Sequence, residues 1–148
     1  METLKIQIPT GYEIDSFDKS SGEIKFKPKP KKVTERIKTV SDVLADNGIT
    51  QQQFDLECKW LSDHEVAYRI LHLLAKSLNE GWTPDWSNSG QYKYVPWFDL
   101  SSGFRFDGDV YWASRSAVGS RLCFKSSEMA EHAGKQFLDV YRKFMVID

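Results

Sequence analysis

Apolar and polar residues alternate from the start of the chain, with Leu4, Ile6 and Ile8, then Tyr12 and Ile14, then Ile24 and Phe26 each set between polar neighbours. A period of two is that of a strand with one covered face, and "PTG" and "DKSSG" supply turns, so this part predicts short strands joined by turns. The period changes beyond residue 40. "SDVLADNG" predicts a short helix capped by Ser41 and stopped at Gly48, and "TQQQFDLECKWL" a second with Phe54, Cys58 and Leu61 on one face. "SDHE" then sets Ser62 at an N-cap with Glu65 three residues on, the spacing of a capping box. Val66, Ile70, Leu73, Leu74 and Leu78 follow at helical spacing as far as Gly81, a natural stop, which predicts one long central helix.

The second half returns to strand-like runs. "YKYVPWFDL", "FRFDGDVYW" and "SRLCFKS" predict three strands, the first at an edge or a bulge because Pro96 lacks an N–H. Asp107-Gly108 fits either a two-residue hairpin turn or the interior of one strand with Phe104, Phe106, Val110 and Trp112 on one face; the second reading is preferred. A helix capped near Ser126 closes the chain, its apolar stripe formed by Ala130, Ala133, Phe137, Val140, Tyr141 and Phe144. The expected fold is α+β: N-terminal short strands, a central long helix, then a three-stranded antiparallel meander packed against the C-terminal helix. Residues 1–148 are expected to form one domain, with a Lys/Pro-rich linker around 28–38 where Pro28 and Pro30 stop a ladder.

Composition narrows the function classes. The 148 residues carry a net charge of −1, so no overall basic field draws the molecule to nucleic acid. No apolar run nears the ~20 residues that span a bilayer, and "METLKIQIPTG" has no signal-peptide pattern, so the expectation is a cytoplasmic protein without membrane contact. Cys58 and Cys123 lie far apart, outside any CxxC or Cys/His cluster, and read as two free thiols. No nucleotide-cradling, zinc-protease or nucleophile-elbow motif occurs, and neither cofactor nor metal is expected. His64, His72 and His132 read as cap-adjacent or half-buried imidazoles. Asp107 and Asp109 read as turn residues, because an EF-hand's remaining oxygen ligands do not follow. Glu57, Asp63 and Glu65 suit a helix N-terminus.

Two candidate surfaces remain. From Lys25 to Lys38, seven residues are basic and only Glu35 is acidic. Lys25, Lys27, Lys29, Lys31, Lys32, Arg36 and Lys38, interleaved with Phe26, form a candidate nucleic-acid patch, beside the plainer reading of a solvated linker or protected sheet edge. The aromatics are the other. Ten of the chain's twenty fall between Trp82 and Trp112. Tyr92, Tyr94 and Phe98 share one strand face while Trp97 and Val95 take the other, more apolar surface than one helix covers. Most of these rings are expected in the core, and Trp86, Trp97 and Tyr111 are the candidate interaction surface.

Three stretches, "IQIPTGYEIDSFDKSSGEIKFKPKPK", "LHLLAKSLNEGWTPDWSNSGQYKYV" and "RLCFKSSEMAEHAGKQFLDVYRKF", resemble a group of small uncharacterised proteins of Bacteroidetes phages and mobile elements. The likeness is strongest at "GWTPDW" and "LCFKSSEMAEHA" and weakest over residues 39–61. That group brings no established activity and no catalytic residues, so the resemblance implies genomic context and a bacterial host cytoplasm. The leading expectation is a non-enzymatic accessory protein acting through protein contacts or self-association. A nucleic-acid-binding module using the basic segment is the alternative, and an enzyme without a recognisable motif the third.

Overall fold

The computed structural model describes residues 1–147. Where one domain was expected, the chain divides into two compact units, residues 1–32 and the chain from Val33 onward. The first is an antiparallel hairpin of β1 (Tyr12–Phe17) and β2 (Ile24–Pro28), with Ile14 opposite Phe26, Phe17 opposite Ile24 and a bulge between Ile14 and Ser16. Its turn is closed by Asp18, which accepts from the Ser20 N–H (2.8 Å) and hydroxyl (2.6 Å), bonds that hold its carboxyl down to about 2. Leu4, Ile6 and Ile8 alternate as a strand would yet form none and are exposed, because alternation makes a strand only where a neighbouring edge takes its backbone groups.

The second unit holds α1 (Val33–Arg36), α2 (Val40–Asp46), α3 (Gln51–Glu57), α4 (Asp63–Asn79), β3 (Lys93–Asp99), β4 (Arg105–Trp112), α5 (Ser127–Gln136) and α6 (Leu138–Met145). The expected linker therefore ends early. Val33 and Ile37, four residues apart, sit on one side of the α1 turn, 4% and 1% exposed, as part of the core. α2 is capped by Thr39 rather than Ser41: Thr39 Oγ1 accepts from the Asp42 N–H (3.1 Å) and the Asp42 carboxylate from the Thr39 N–H (2.9 Å). That reciprocal pair outcompetes a serine with no acid three residues on. Thr50 and Gln53 start α3 in the same way; Phe54 is buried there, but Cys58 is half-buried and Leu61 exposed, so its apolar face is shorter than the spacing suggested.

α4 forms where expected. Glu65 accepts from the Ser62 N–H (2.8 Å), and Glu80 and Gly81 turn left-handed at its end. Its buried stripe runs through Ala67, Leu71, Leu74, Ala75 and Leu78, so Val66, Ile70 and Leu73 lie on its flank. α4 is one of six helices rather than a lone central one, and the expected closing helix breaks at Phe137 (ψ 31°) into α5 and α6.

The three-stranded meander reduces to a two-stranded ribbon. β3 and β4 pair antiparallel, while the third run contributes one bridge: Tyr94 N–H donates to Phe124 O (2.9 Å) and Phe124 N–H to Tyr94 O (2.7 Å). The side-chain amide of buried Asn79 takes the outward-facing groups on either side of Phe124, donating to Cys123 O (2.9 Å) and accepting from Lys125 N–H (3.0 Å). It closes the outer edge as another strand would, and Ser126 caps α5 two residues later. Elongation has no room.

β4 is one strand, but it bulges. Pro96 lies opposite Asp109 and Phe98 opposite Phe106, so two residues, Asp107 and Gly108, face the single Trp97; Gly108 takes φ 103°. The extra residue reverses the alternation. Phe106 joins Pro96 and Phe98 on one face, and Val110 and Trp112 fall on the other, so the four expected on one face are divided. α5 packs on the Phe106 face so closely that a Cβ on Gly134 would stand 2.5 Å from the Phe106 ring and 2.8 Å from Pro96 Cβ. Phe98 stacks on Phe104 (4.7 Å) and meets buried Tyr141 of α6 (4.8 Å).

Gly134→Ala tests this approach. Helix propensity alone favours alanine by about 1 kcal/mol, whereas overpacking costs about 1–3 kcal/mol. The expected outcome is a net loss of stability in urea unfolding, because the obstructing atoms belong to a packed ring and a proline.

Candidate functional site: an aromatic groove

The ribbon face away from α5 begins with Lys93, whose position in an alternating strand buries it completely. Its ammonium donates to the carbonyls of Asp85 (2.6 Å), Gln91 (2.6 Å), Ala113 (2.8 Å) and Asn88 (3.2 Å), and lies 5.2 Å from the Trp86 ring. Trp86 Nε1 in turn donates to Ser120 Oγ (2.7 Å). These contacts tie two loops, 85–91 and 113–120, onto this face.

Beyond the tied loops the face stays open. A groove of about 640 Å³ runs along Val95, Trp97, Leu100, Trp112, Val118 and Leu122, with Tyr68 of α4 and Phe144 and Met145 of α6 as its other wall. Its lining carries no charged side chain. Trp97, Leu100 and Met145 are 49%, 51% and 43% exposed. Tyr68 and Phe144, with ring centres 5.9 Å apart, also border a polar recess of about 420 Å³ formed with Leu61, His64, Glu65, Arg69 and His72. There Glu65 is engaged by Ser62 and Arg69 by Glu57. His72 lies against Tyr68 (6.4 Å); burial and then the charges of Arg121, Lys76 and Arg69 lower its pKa from the ordinary imidazole value.

The three aromatic candidates fall in three settings. Trp97 lines the groove, Trp86 closes the Lys93 cage, and Tyr111 stacks with Tyr92 (4.5 Å) and Tyr94 (5.7 Å) on the α5 side of the ribbon. Sequence reading missed Tyr68, Trp112, Phe144 and Met145 as groove walls. Phe144, at the end of the last apolar stripe, and Trp112, on the apolar face read for the second strand run, had a signal; Tyr68 and Met145 had none.

The basic candidates divide between the units, Lys25, Lys27, Lys29, Lys31 and Lys32 in the hairpin unit, Arg36 and Lys38 in the other. Lys27 pairs with Glu13 (3.6 Å) and Asp15 (3.4 Å), and Arg36 with Asp46 (2.7 Å), so part of the charge is answered locally. His132 Nε2 meets Ile37 O at 2.6 Å, and burial pushes the Cys123 thiol up to about 11. Among the described residues no three His, Cys, Asp or Glu side chains gather as a metal site, and no helix is long and apolar enough to cross a membrane. Comparison with family models, curated proteins and solved structures finds no match to this chain.

Two outcomes are expected. Lys93→Met leaves four carbonyls without their shared donor and lowers stability by about 2 kcal/mol, with faster proteolysis at 85–91 than at α4. In an NMR titration His72 protonates below the ordinary ~6.5. Because the folded value is the depressed one, His72 costs no stability above that pH, and stability falls as pH drops from there through the folded pKa.

Proposed function

We propose that this chain is a non-enzymatic protein-contact module whose working surface is the aromatic groove of the second unit, and that it serves as an accessory protein of a phage or mobile element in a bacterial cytoplasm. The carrying observation is a preformed, uncharged recess between the ribbon and the ends of α4 and α6, with Trp97 and Leu100 half open to water. Aromatic anchors in desolvated pockets supply most of the affinity of protein interfaces, and a single well-seated one is worth about 2 kcal/mol or more. The volume lies within the roughly 300–1,000 Å³ of sites that enclose a ligand group.

The mode of contact follows from β3. Its edge toward Phe124 is the open one beyond Tyr94, and there Pro96 offers no N–H. Strand addition would lack a donor at the middle of the edge, so side chains entering the groove carry the contact, as when an amphipathic helix lays its apolar face into a cleft.

Photo-crosslinking in a bacterial lysate tests the reading. A benzophenone amino acid at Leu100 is expected to capture a discrete protein, and the same group at exposed Glu128 of α5 is not. Equal capture at both positions, or at neither, would refute the groove as the working surface.

A further inference from the structure

The hairpin of the first unit is divided into an apolar and a polar side. Directly opposed residues of an antiparallel pair share a face, so Tyr12 with Pro28, Ile14 with Phe26 and Phe17 with Ile24 make one side, and Glu13 with Lys27 and Ser16 with Lys25 the other. Phe17 reaches the apolar side only through the bulge. Simple alternation from Ile14 would set it among the charges, and the extra residue, Asp15, brings it back. The polar side is answered within itself, Lys27 pairing with both Glu13 and Asp15. On the apolar side Tyr12, Ile14 and Phe17 are 42%, 46% and 56% exposed, with Ile24 and Phe26 half-buried. Exposed Ile8 lines one recess of about 370 Å³ with Tyr12 and Ile14, so the segment before β1 extends the same patch.

This unit spans residues 1–32. A two-stranded hairpin alone is marginal in water, and below about 40 residues a fold needs disulfides, a metal or association with another chain. Both cysteines lie in the second unit, and among the described residues no cluster of His, Cys, Asp or Glu could hold a metal. Association is what is left. We propose that the hairpin is a self-association element, in which two copies of the chain stack the faces bearing Tyr12, Ile14, Phe17, Ile24 and Phe26 about a twofold axis as a two-layer, four-stranded sandwich. A second copy fits this face because it brings an identical apolar ribbon with no charge to bury, and two such layers pack about 10 Å apart with their polar sides outward. The area suffices: the exposed parts of these residues and Ile8 come to roughly 500 Å² per copy, so a pair buries ~1,000 Å², the size at which a specific interface begins. The inference does not rest on the groove, whose residues all belong to the second unit.

Sedimentation equilibrium of the full chain, from about 5 to 500 μM, is expected to show a reversible dimer with a Kd in the micromolar range, as suits an interface at the small end. Ile14→Ser/Phe17→Ser, which keeps the Asp18 turn and the Lys27 ion pairs, should weaken the dimer by about tenfold or more, and Trp97→Ala should leave it unchanged. Because the double variant can also unravel the hairpin, a second measurement leaves the apolar side intact. A benzophenone amino acid is placed in the purified chain at Phe17 or, on the polar side, at Lys25. A crosslinked dimer is expected from position 17 and not from position 25. A monomer throughout the concentration range would overturn the proposal, and so would crosslinking that is equal at the two positions or absent from both. A dimer that Trp97→Ala abolishes and the hairpin variant does not would assign association to the groove and overturn it as well. A monomer that floats with phosphatidylcholine vesicles would assign the face to a lipid surface instead, with the same consequence.

Discussion

The ammonium of Lys93 is the point from which one side of the second unit is organised. A two-stranded ribbon has two faces and too little surface to bury either alone. α5 covers one face through the close approach at Gly134. On the other, no helix lies flat, and the cover is two irregular loops whose backbones point carbonyls inward. With three N–H bonds, one cation lies within hydrogen-bond reach of four of these, Asn88 O sharing a donor at 3.2 Å, and the Trp86 ring stacks over it. A carboxylate partner would have held the charge in place but left the carbonyls unanswered, and the loops would then have no reason to close over the strand.

That arrangement explains why the groove exists. The loops are pulled tight over the Lys93 end of the ribbon, the α4 and α6 ends flank the other, and the stretch between is left as a channel with aromatic walls. The rings there are not surplus core. They are the part of the ribbon that its own covers do not reach, and they stand on strands and helix ends held by buried neighbours. Affinity at such a place depends on shape already present rather than on ordering a loop at the moment of contact.

What the sequence discloses follows from how local each cause is. α4 is legible because its start, stripe and stop lie within twenty residues. α2 is legible in kind but misplaced by two residues, since Ser41 and Thr39 differ only in having an acid three positions on. The break at Phe137 and the bulge at Gly108 are consequences of packing between distant segments and leave no periodic trace. Lys93 is the sharpest case: in an alternating strand a lysine reads as the wet face, and its partners are carbonyls, which every residue has. The groove was half legible. Trp97 stands out by composition, whereas Tyr68 and Phe144 meet it only through the fold, and Val33 and Ile37 are core although they lie within the lysine run.

The bulge also bears on how this sequence can change over time. Gly108 works as a frameshift in side-chain orientation: upstream of it one set of residues looks toward α5, and downstream the opposite set does. Loss of that one codon would leave mass, charge and hydropathy almost untouched, yet would turn Val110 and Trp112 toward the helix and bring Asp109 and Tyr111 to the channel. Length between Phe106 and Val110 is therefore held more tightly than residue identity, and homologous chains should tolerate substitution there far more readily than insertion or deletion.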